Sequence, residues 1–305
     1  MIASDNMDLR FGKGRKEFIR LLVNFSFCDM ERLGYDNSIR WIESAQCWEI
    51  DCPAFDNGTG ASAGVRKYYA RDPSDLVADR LFGRHTRGFL ASSQLKNVDT
   101  PDTFIKDAWP HASDGMEDPR DEVEMLRDID SALSKEEYAD VLHIHVECGG
   151  IVQLDRKTDD TRAIYGSEYD AIKAAVDAKI KGELATELKN LDMAALGTYT
   201  KDRKKQSIDA TFPFRAHKRI ATSPVGQSLF SLSSPYELMI VLADAMRTHA
   251  VILKECGILH RDLSTNNILA VGSGRNVRGL LIDFDCALRL DRVGSKEWKR
   301  RLERT

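Results

Sequence analysis

The chain has 305 residues, 42% of them hydrophobic, which is enough for one large domain or two smaller ones with a substantial core. Its formal net charge is −4, so it lacks the strong positive field of proteins that bind nucleic acid or membrane surfaces, and we expect neither partner. The six cysteines are scattered without a C-x-x-C pair, which argues against a zinc cage and against a disulfide framework.

Hydrophobic periodicity and turn residues predict a mixture of helices and strands, and therefore an α+β fold. In chain order we expect a helix over residues 16–33, a strand over 41–52, a loop over 56–64, a block over 68–91 with a turn at Gly83, a strand over 104–109, a helix over 118–133, a strand over 141–152, a helix over 167–196, a strand over 214–222, a helix from Ser234, and strands over 268–271 and 280–282. Residues 155–211 are interpreted as an insertion between core elements.

Two of these helices have clear end signals. Asp118 is the candidate N-cap of the helix over 118–133, with Pro119 at its first position. Ser234 and Glu237 form a predicted capping box at the start of the next long helix, and Gly257 ends that helix.

The N-terminal region carries no targeting or membrane signal. Residues 1–17 are polar and charged, without the apolar stretch of a secretory signal. The apolar run over residues 18–27 is too short to span a bilayer and contains Arg20 and Asn24. With reduced cysteines, these features predict an intracellular protein of the cytoplasm or nucleus.

His143 and His145 alternate along the predicted strand over 141–152, so both side chains would face one side of a sheet. We interpret them as two partly exposed strand histidines rather than as metal ligands.

Two motifs near the C-terminal end carry the chemistry. One is His260-Arg261-Asp262-Leu263-Ser264-Thr265-Asn266-Asn267, and the other is Asp283-Phe284-Asp285, directly after an apolar strand. In this order they match the catalytic and metal-binding loops of phosphoryl-transfer enzymes. Asp262 would then orient the substrate hydroxyl or accept its proton, while Asn267 and Asp283 would offer oxygen ligands to magnesium. Acids at the end of a buried strand would be costly without a metal or another partner.

Upstream residues complete this chemistry. Lys106 on the strand over 104–109 could reach nucleotide phosphates if a glutamate of the next helix positioned it. Glu122 is the preferred partner, because the competitor Glu124 lies about 200° round the helix axis, away from the apolar face. The candidate phosphate loop runs from Gly83 through Thr86 to Gly88.

These motifs resemble the fungal-type protein kinase domain, a divergent branch of the protein kinase superfamily. The matching segments are Gly83-Arg84-His85-Thr86, Lys106-Asp107-Ala108-Trp109, Pro224-Val225-Gly226, Ser234-Pro235-Tyr236-Glu237-Leu238 and the catalytic loop. The resemblance implies ATP and Mg²⁺ as cofactors, transfer to Ser/Thr hydroxyls of an unidentified protein substrate, and a hinge in which Thr222 and Val225 contact the adenine.

The resemblance also implies a bilobal protein-kinase-like fold. Residues 1–66 would be an N-terminal extension, 67–222 a small β-rich lobe with a helical insertion at about 155–211, and 223–305 the hinge and a truncated helical large lobe. Because the family continues beyond a pair like Arg304-Thr305, we expect a truncated product or a fragment of a longer chain.

Three departures from the general protein kinase pattern keep alternatives open. His85 replaces a glycine of the phosphate loop, whereas Ser264 and Asp285 replace the usual lysine and glycine but are in keeping with the fungal-type family. The first hypothesis is an active protein kinase, and the alternative is an inactive module that binds a nucleotide or a partner. A small-molecule phosphotransferase is disfavoured by Arg261, which is placed to pair with a phosphorylated segment.

Overall fold

A computed structural model of the chain describes residues 12–27, 36–55, 64–71, 86–110, 121–154, 157–171, 173–175, 177–178 and 214–290. These residues form an α+β structure. Within these ranges, no helix combines the length and apolar character needed to cross a bilayer.

The first elements are a helix and a three-stranded antiparallel sheet. They are α1 (Gly12–Phe27), β1 (Ile39–Ile42), β2 (Cys47–Pro53) and β3 (Val65–Ala70), with strand order β1-β2-β3. The prediction of one strand over 41–52 was wrong, because residues 43–46 form a tight turn that makes this segment a hairpin. Gln46 closes the turn with a φ of 48°, in the left-handed region.

The next elements in chain order build a second sheet and the helix behind it. They are β4 (Arg87–Ala91), β5 (Thr103–Ala108), α2 (Glu122–Leu133), β6 (His145–Ile151), β7 (Gln153–Leu154), β8 (Lys157–Thr158), α3 (Thr161–Tyr165) and β9 (Lys218–Ser223). Four of these strands pair antiparallel in the order β4-β5-β9-β6, while β7 and β8 form a small hairpin. The described part of the predicted helix over 167–196 includes helical residues between 169 and 178, and the remainder lies outside the described residues.

The two sheets share a core and a buried network of charges. The apolar side chains between them are Ile50, Cys52, Tyr68, Ala70, Phe89, Ala91, Ile105, Cys148 and Ala221. Beside this core, the fully buried Arg219 donates through Nη2 to Asp36 Oδ2 at 2.7 Å and through Nε to Asp107 Oδ1 at 2.9 Å. Buried charges need such partners, so Arg219 fixes the segment before β1 against β5 and β9.

Helix α2 begins later than the sequence predicted. Its N-cap is Asp121 rather than Asp118, because Asp121 Oδ1 accepts the backbone N–H of Val123 at 3.0 Å. Residues 118–120 lie outside the described part of the chain. The helix buries one apolar face against the larger core, through Val123, Met125, Leu126, Ile129 and Leu133.

The remaining elements are a long helix and short strands. They are β10 (Gln227–Ser228), α4 (Pro235–Cys256), β11 (Ile258–Leu259), β12 (Ile268–Val271), β13 (Arg278–Leu281) and β14 (Leu288–Arg289). Ser234 caps α4 by accepting the N–H of Tyr236 at 3.2 Å, and Gly257 ends it with a φ of 62°. Glu237 instead accepts the N–H of Gly274 at 2.7 Å, so only the serine half of the predicted capping box is formed among the described contacts.

The hairpin of β12 and β13 packs directly on α4. A side chain at Gly279 would overlap the backbone carbonyl of Val241, so glycine is required for this close approach. The strands pair with Ile268 opposite Leu281, which brings the residues before β12 and after β13 side by side.

Candidate active site

A cleft of about 830 Å³ lies between the four-stranded sheet and the β12–β13 hairpin. The predicted residues that line it are Thr86, Gly88, Lys106, Glu122, Thr222, Val225, Asn267 and Asp283. The predicted loop residue Gly83 lies outside the described residues. Residues as distant in the sequence as Thr86 and Asp283 therefore line the same cavity.

Lys106 is the centre of the cleft's charges. It lies on β5 between Gly88 of β4 and Ile220 of β9, and its Nζ donates to Glu122 Oε1 at 3.0 Å and Oε2 at 2.9 Å. Glu122, rather than Glu124, is thus the helix residue that contacts Lys106, as the helical phase predicted.

Two further carboxylates contact the same ammonium. Lys106 Nζ lies 2.8 Å from Asp283 Oδ1 and 2.9 Å from Asp285 Oδ2. Burial disfavours the charged form of Lys106, but the carboxylates of Glu122, Asp285 and Asp283 outweigh burial and raise its pKa. Burial and the neighbouring Asp285 raise the pKa of Glu122, against the opposing effect of Lys106.

Asp285 was not among the predicted site residues. The sequence indicated only that it replaces a glycine, as is usual in the family, whereas in the structure its carboxylate contacts Lys106. The signal was present, because the second acid of Asp283-Phe284-Asp285 follows the same buried strand.

A sharp backbone turn directs Asp283 and Phe284 to opposite environments. Asp283 has a φ of 63° and lines the cleft, whereas Phe284 is buried and packs edge-on against the ring of His260 at 4.6 Å. Nε2 of His260 lies 2.9 Å from the carbonyl oxygen of Ile282, which can only accept, so Nε2 donates. In the neutral ring, Nδ1 then accepts the backbone N–H of Asp262 at 3.3 Å. His260 therefore joins the two loops.

Asp262 and Asn267 are coupled within the catalytic loop. Nδ2 of Asn267 donates to the backbone oxygen of Asp262 at 2.9 Å and to its Oδ2 at 3.1 Å. Asp262 is exposed and Asn267 is buried. Because the amide nitrogen faces Asp262, the amide oxygen of Asn267 is the atom that can face a cation.

The wall opposite these charges is apolar and closely packed. Ser223-Pro224 is a cis peptide, and a side chain at Gly226 would collide with Leu269. Thr222 donates through Oγ1 to the carbonyl of Phe104 at 3.3 Å, which joins β9 to β5 at the cleft. The apolar residues of the cleft are Leu90, Phe104, Leu126, Ile144, Ile220, Val225, Leu269, Leu280 and Ile282. A flat apolar group fits between such walls.

The donor atoms at the polar end suit a hard cation. Ligand oxygens of Glu122, Asp283 and Asp285 lie within 4.8 Å of one another. Asn267 precedes β12 and is joined to the strand end before Asp283 through the Ile282 N–H, which donates to the Asn267 carbonyl at 2.9 Å. Carboxylate and amide oxygens are the ligands that Mg²⁺ accepts in nucleotide sites, so these residues fit that ion.

The family model described as fungal protein kinase matches residues 1–304. A search of curated proteins finds no significant match. The family match extends over nearly the whole sequence and includes every residue of the cleft, so the chain belongs to the fungal protein kinase family.

Proposed function

We propose that this chain is an ATP- and Mg²⁺-dependent protein kinase that transfers a phosphoryl group to Ser or Thr hydroxyls of a protein substrate. The observation that carries the proposal is the contact of Lys106 with both Glu122 and Asp283 in a cleft with one apolar wall. Phosphoryl transfer depends mainly on positioning and on neutralising phosphate charge, and this cluster offers both.

Each residue has a role in this proposal. Lys106, positioned by Glu122, binds nucleotide phosphates, and Thr86 and Gly88 approach them from β4. Thr222 and Val225 contact the adenine. Asn267 and Asp283 would hold Mg²⁺, which supplies positive charge against the phosphates. Asp262 orients the acceptor hydroxyl and takes its proton.

The architecture supports a bilobal protein-kinase-like arrangement in this proposal. The β4-β5-β9-β6 sheet with α2 would form the small lobe, and α4 with β10 to β14 would belong to the large lobe. The hinge would run through residues 222–226, where β9 leads to β10. Buried free thiols, such as those of Cys47 and Cys52, support the proposal of an intracellular protein.

A catalytically inactive module that binds a nucleotide or a partner is the second candidate. The observation that favours it is the contact of Asp285 with Lys106 at 2.9 Å, since an ammonium held by this carboxylate is less available to the phosphates during transfer. The two candidates differ in turnover.

One paired experiment separates these candidates. Thermal unfolding is followed during titration with ATP and Mg²⁺, and phosphoryl transfer to protein and to small hydroxyl compounds is measured on the same samples. We expect stabilisation and transfer to Ser/Thr proteins, both lost in Asp283→Ala and retained in the control Asp99→Ala, whose carboxyl is exposed. Stabilisation without turnover would favour the second candidate, and transfer to small compounds alone would indicate a small-molecule phosphotransferase. No stabilisation would contradict nucleotide binding.

A further inference from the structure

A second cluster of metal-ligating side chains lies at the C-terminal end of α2. Asp130, in the last turn of α2, faces His143 and His145 at the start of β6. Nδ1 of His145 donates a hydrogen bond to Oδ1 of Asp130 at 2.9 Å, and Nε2 of His143 lies 3.4 Å from the same oxygen. The three ligand atoms lie within 4.8 Å of one another, and none of the three residues lines the nucleotide cleft.

The two histidines differ in burial. His145 begins β6 and its side chain is half-exposed, whereas His143 precedes the strand and is only 5% exposed. The prediction of two partly exposed strand histidines was therefore wrong for His143.

The hydrogen bond of His143 determines which of its nitrogens carries a lone pair. Nδ1 lies 3.1 Å from the carbonyl oxygen of Val141, which has no proton to donate, so Nδ1–H is the donor. The neutral ring then has its lone pair on Nε2. Among the described residues, this buried nitrogen has no hydrogen-bond partner, and it faces the carboxylate of Asp130.

The lone pair of His143 Nε2 and the Asp130 carboxylate oxygen 3.4 Å away repel each other unless a positive charge lies between them. A metal cation would satisfy both atoms, as would a second proton on His143. The surroundings favour a metal, because a ligating histidine typically donates its other N–H to a backbone carbonyl, as His143 does to Val141.

The carboxylate of Asp130 is also held in a fixed orientation. Its Oδ2 accepts the backbone N–H of Val146 at 3.0 Å, and its Oδ1 accepts the hydroxyl of Ser134 at 3.1 Å. A carboxylate that is oriented by such bonds presents Oδ1 to the histidines with little loss of side-chain entropy on binding.

We propose that Asp130, His143 and His145 bind one divalent transition-metal cation of the zinc class, with water completing the coordination on the exposed side of His145. Metal–ligand bonds of about 2.0–2.1 Å in a tetrahedron place neighbouring ligand atoms about 3.3 Å apart, close to the 3.4 Å between His143 Nε2 and Asp130 Oδ1. Metal binding would displace the proton of the 2.9 Å hydrogen bond between His145 and Asp130, and these two atoms would then move apart to the same spacing. Two imidazoles and one carboxylate suit zinc, whereas Mg²⁺ prefers oxygen ligands alone.

Such a cation would join the end of α2 to the start of β6. Helix α2 also carries Glu122, so a bound cation would stabilise the helix in the position where Glu122 contacts Lys106. Zinc binding itself does not depend on the proposed kinase activity.

The test uses the full chain, stripped with a chelator and kept free of nucleotide and Mg²⁺. Zinc uptake is measured by equilibrium dialysis at buffered free zinc, thermal unfolding is recorded in parallel, and cobalt(II) is added separately as a visible-light probe of tetrahedral coordination. We expect one equivalent of zinc and, at 100 times the Kd, a rise in Tm of about 5 °C.

Two variants and one control assign the site. Asp130→Asn keeps the side-chain shape and an acceptor for the Val146 N–H, and His145→Ala truncates a half-exposed side chain. Both should lose the bound equivalent, the Tm rise and the cobalt spectrum, while their metal-free Tm reports whether they fold. The control Asp140→Asn changes an exposed carboxyl paired with Arg247 and should bind zinc normally.

Two results would overturn the proposal. One is a wild-type chain that takes up no zinc, in which case a proton on His143 neutralises the pair. The other is equal zinc uptake in all three variants, which would assign the metal to other residues such as the exposed Cys286.

Discussion

Nζ of Lys106 on β5 lies 2.9 Å from Oε2 of Glu122 on α2, and this ion pair joins the sheet to the helix within the charged cluster. Both side chains are largely buried, so the pair is shielded from solvent screening. Under the proposed function, this contact would hold the ammonium in position for phosphates before a nucleotide enters.

Replacing the lysine should therefore abolish most of the proposed activity. We expect Lys106→Met to lower the rate of phosphoryl transfer by about 10²–10³-fold, because a preorganised positive group is lost where phosphate charge must be neutralised. Steady-state kinetics with ATP and a Ser/Thr protein substrate would measure this. The matched control is Lys67→Met, a strand lysine whose side chain is half-exposed and paired with Glu49. Equal rates in the two variants would contradict the role of Lys106.

Asp285 should weaken nucleotide binding when Mg²⁺ is absent. Its carboxylate competes with phosphate oxygens for Lys106, so Asp285→Asn should tighten Mg²⁺-free ATP binding by about tenfold, equal to about 1.4 kcal/mol. With Mg²⁺ present, the difference in ATP affinity between Asp285→Asn and the wild type should be smaller, because the Asp285 carboxylate can then face the cation. Isothermal titration calorimetry with and without Mg²⁺ measures both constants. Weaker Mg²⁺-free binding in the variant would refute competition.

His217 should make stability depend on pH as the pH rises above about 6.5. Burial lowers its pKa, but the carboxylates of Asp107 at 2.7 Å and Asp159 at 2.8 Å outweigh burial and raise it. A raised folded-state pKa gives stability that is fully present below the unfolded value of about 6.5 and is lost as pH rises through the folded value. Urea unfolding from pH 6 to 9 should show this decline in the free energy of unfolding.

Two variants test the assignment to His217. His217→Gln should flatten the pH dependence of the free energy of unfolding in that range, because a glutamine side chain does not titrate. Asp159→Asn removes one of the two anions and should move the decline to lower pH. An unchanged slope in His217→Gln would assign the pH dependence to another group.

The contact between β13 and α4 should tolerate no side chain at Gly279. A methyl group there would overlap the carbonyl of Val241, so Gly279→Ala should reduce the free energy of unfolding by about 1–3 kcal/mol or more through overpacking. The strand leads to Asp283, so ATP affinity should fall as well. Gly64→Ala is the control, since a β carbon there meets no atom within 4 Å. Chemical denaturation would compare the two, and equal losses would contradict the packing argument.

The local features of the fold were readable from the sequence. Helix α4 has its N-cap at Ser234 and its C-cap at Gly257, as predicted, because a cap depends on hydrogen bonds between residues close in the chain. Helical phase likewise selected Glu122 over Glu124. The tight turn at residues 43–46 was missed, since neither glycine nor proline marks it and both flanking strands read as one apolar pattern.

Several features of the site depended on tertiary structure. The family, by contrast, was identified from the sequence alone, because its matching motifs are short segments that can be recognised without knowing the fold. The inward direction of Asp285, the burial of His143, and the pairing of Arg219 with Asp36 across 183 residues were decided by packing. Such contacts join residues that are far apart in the sequence. Local sequence patterns do not show which of these residues lie close in space, so only the folded structure could reveal the contacts.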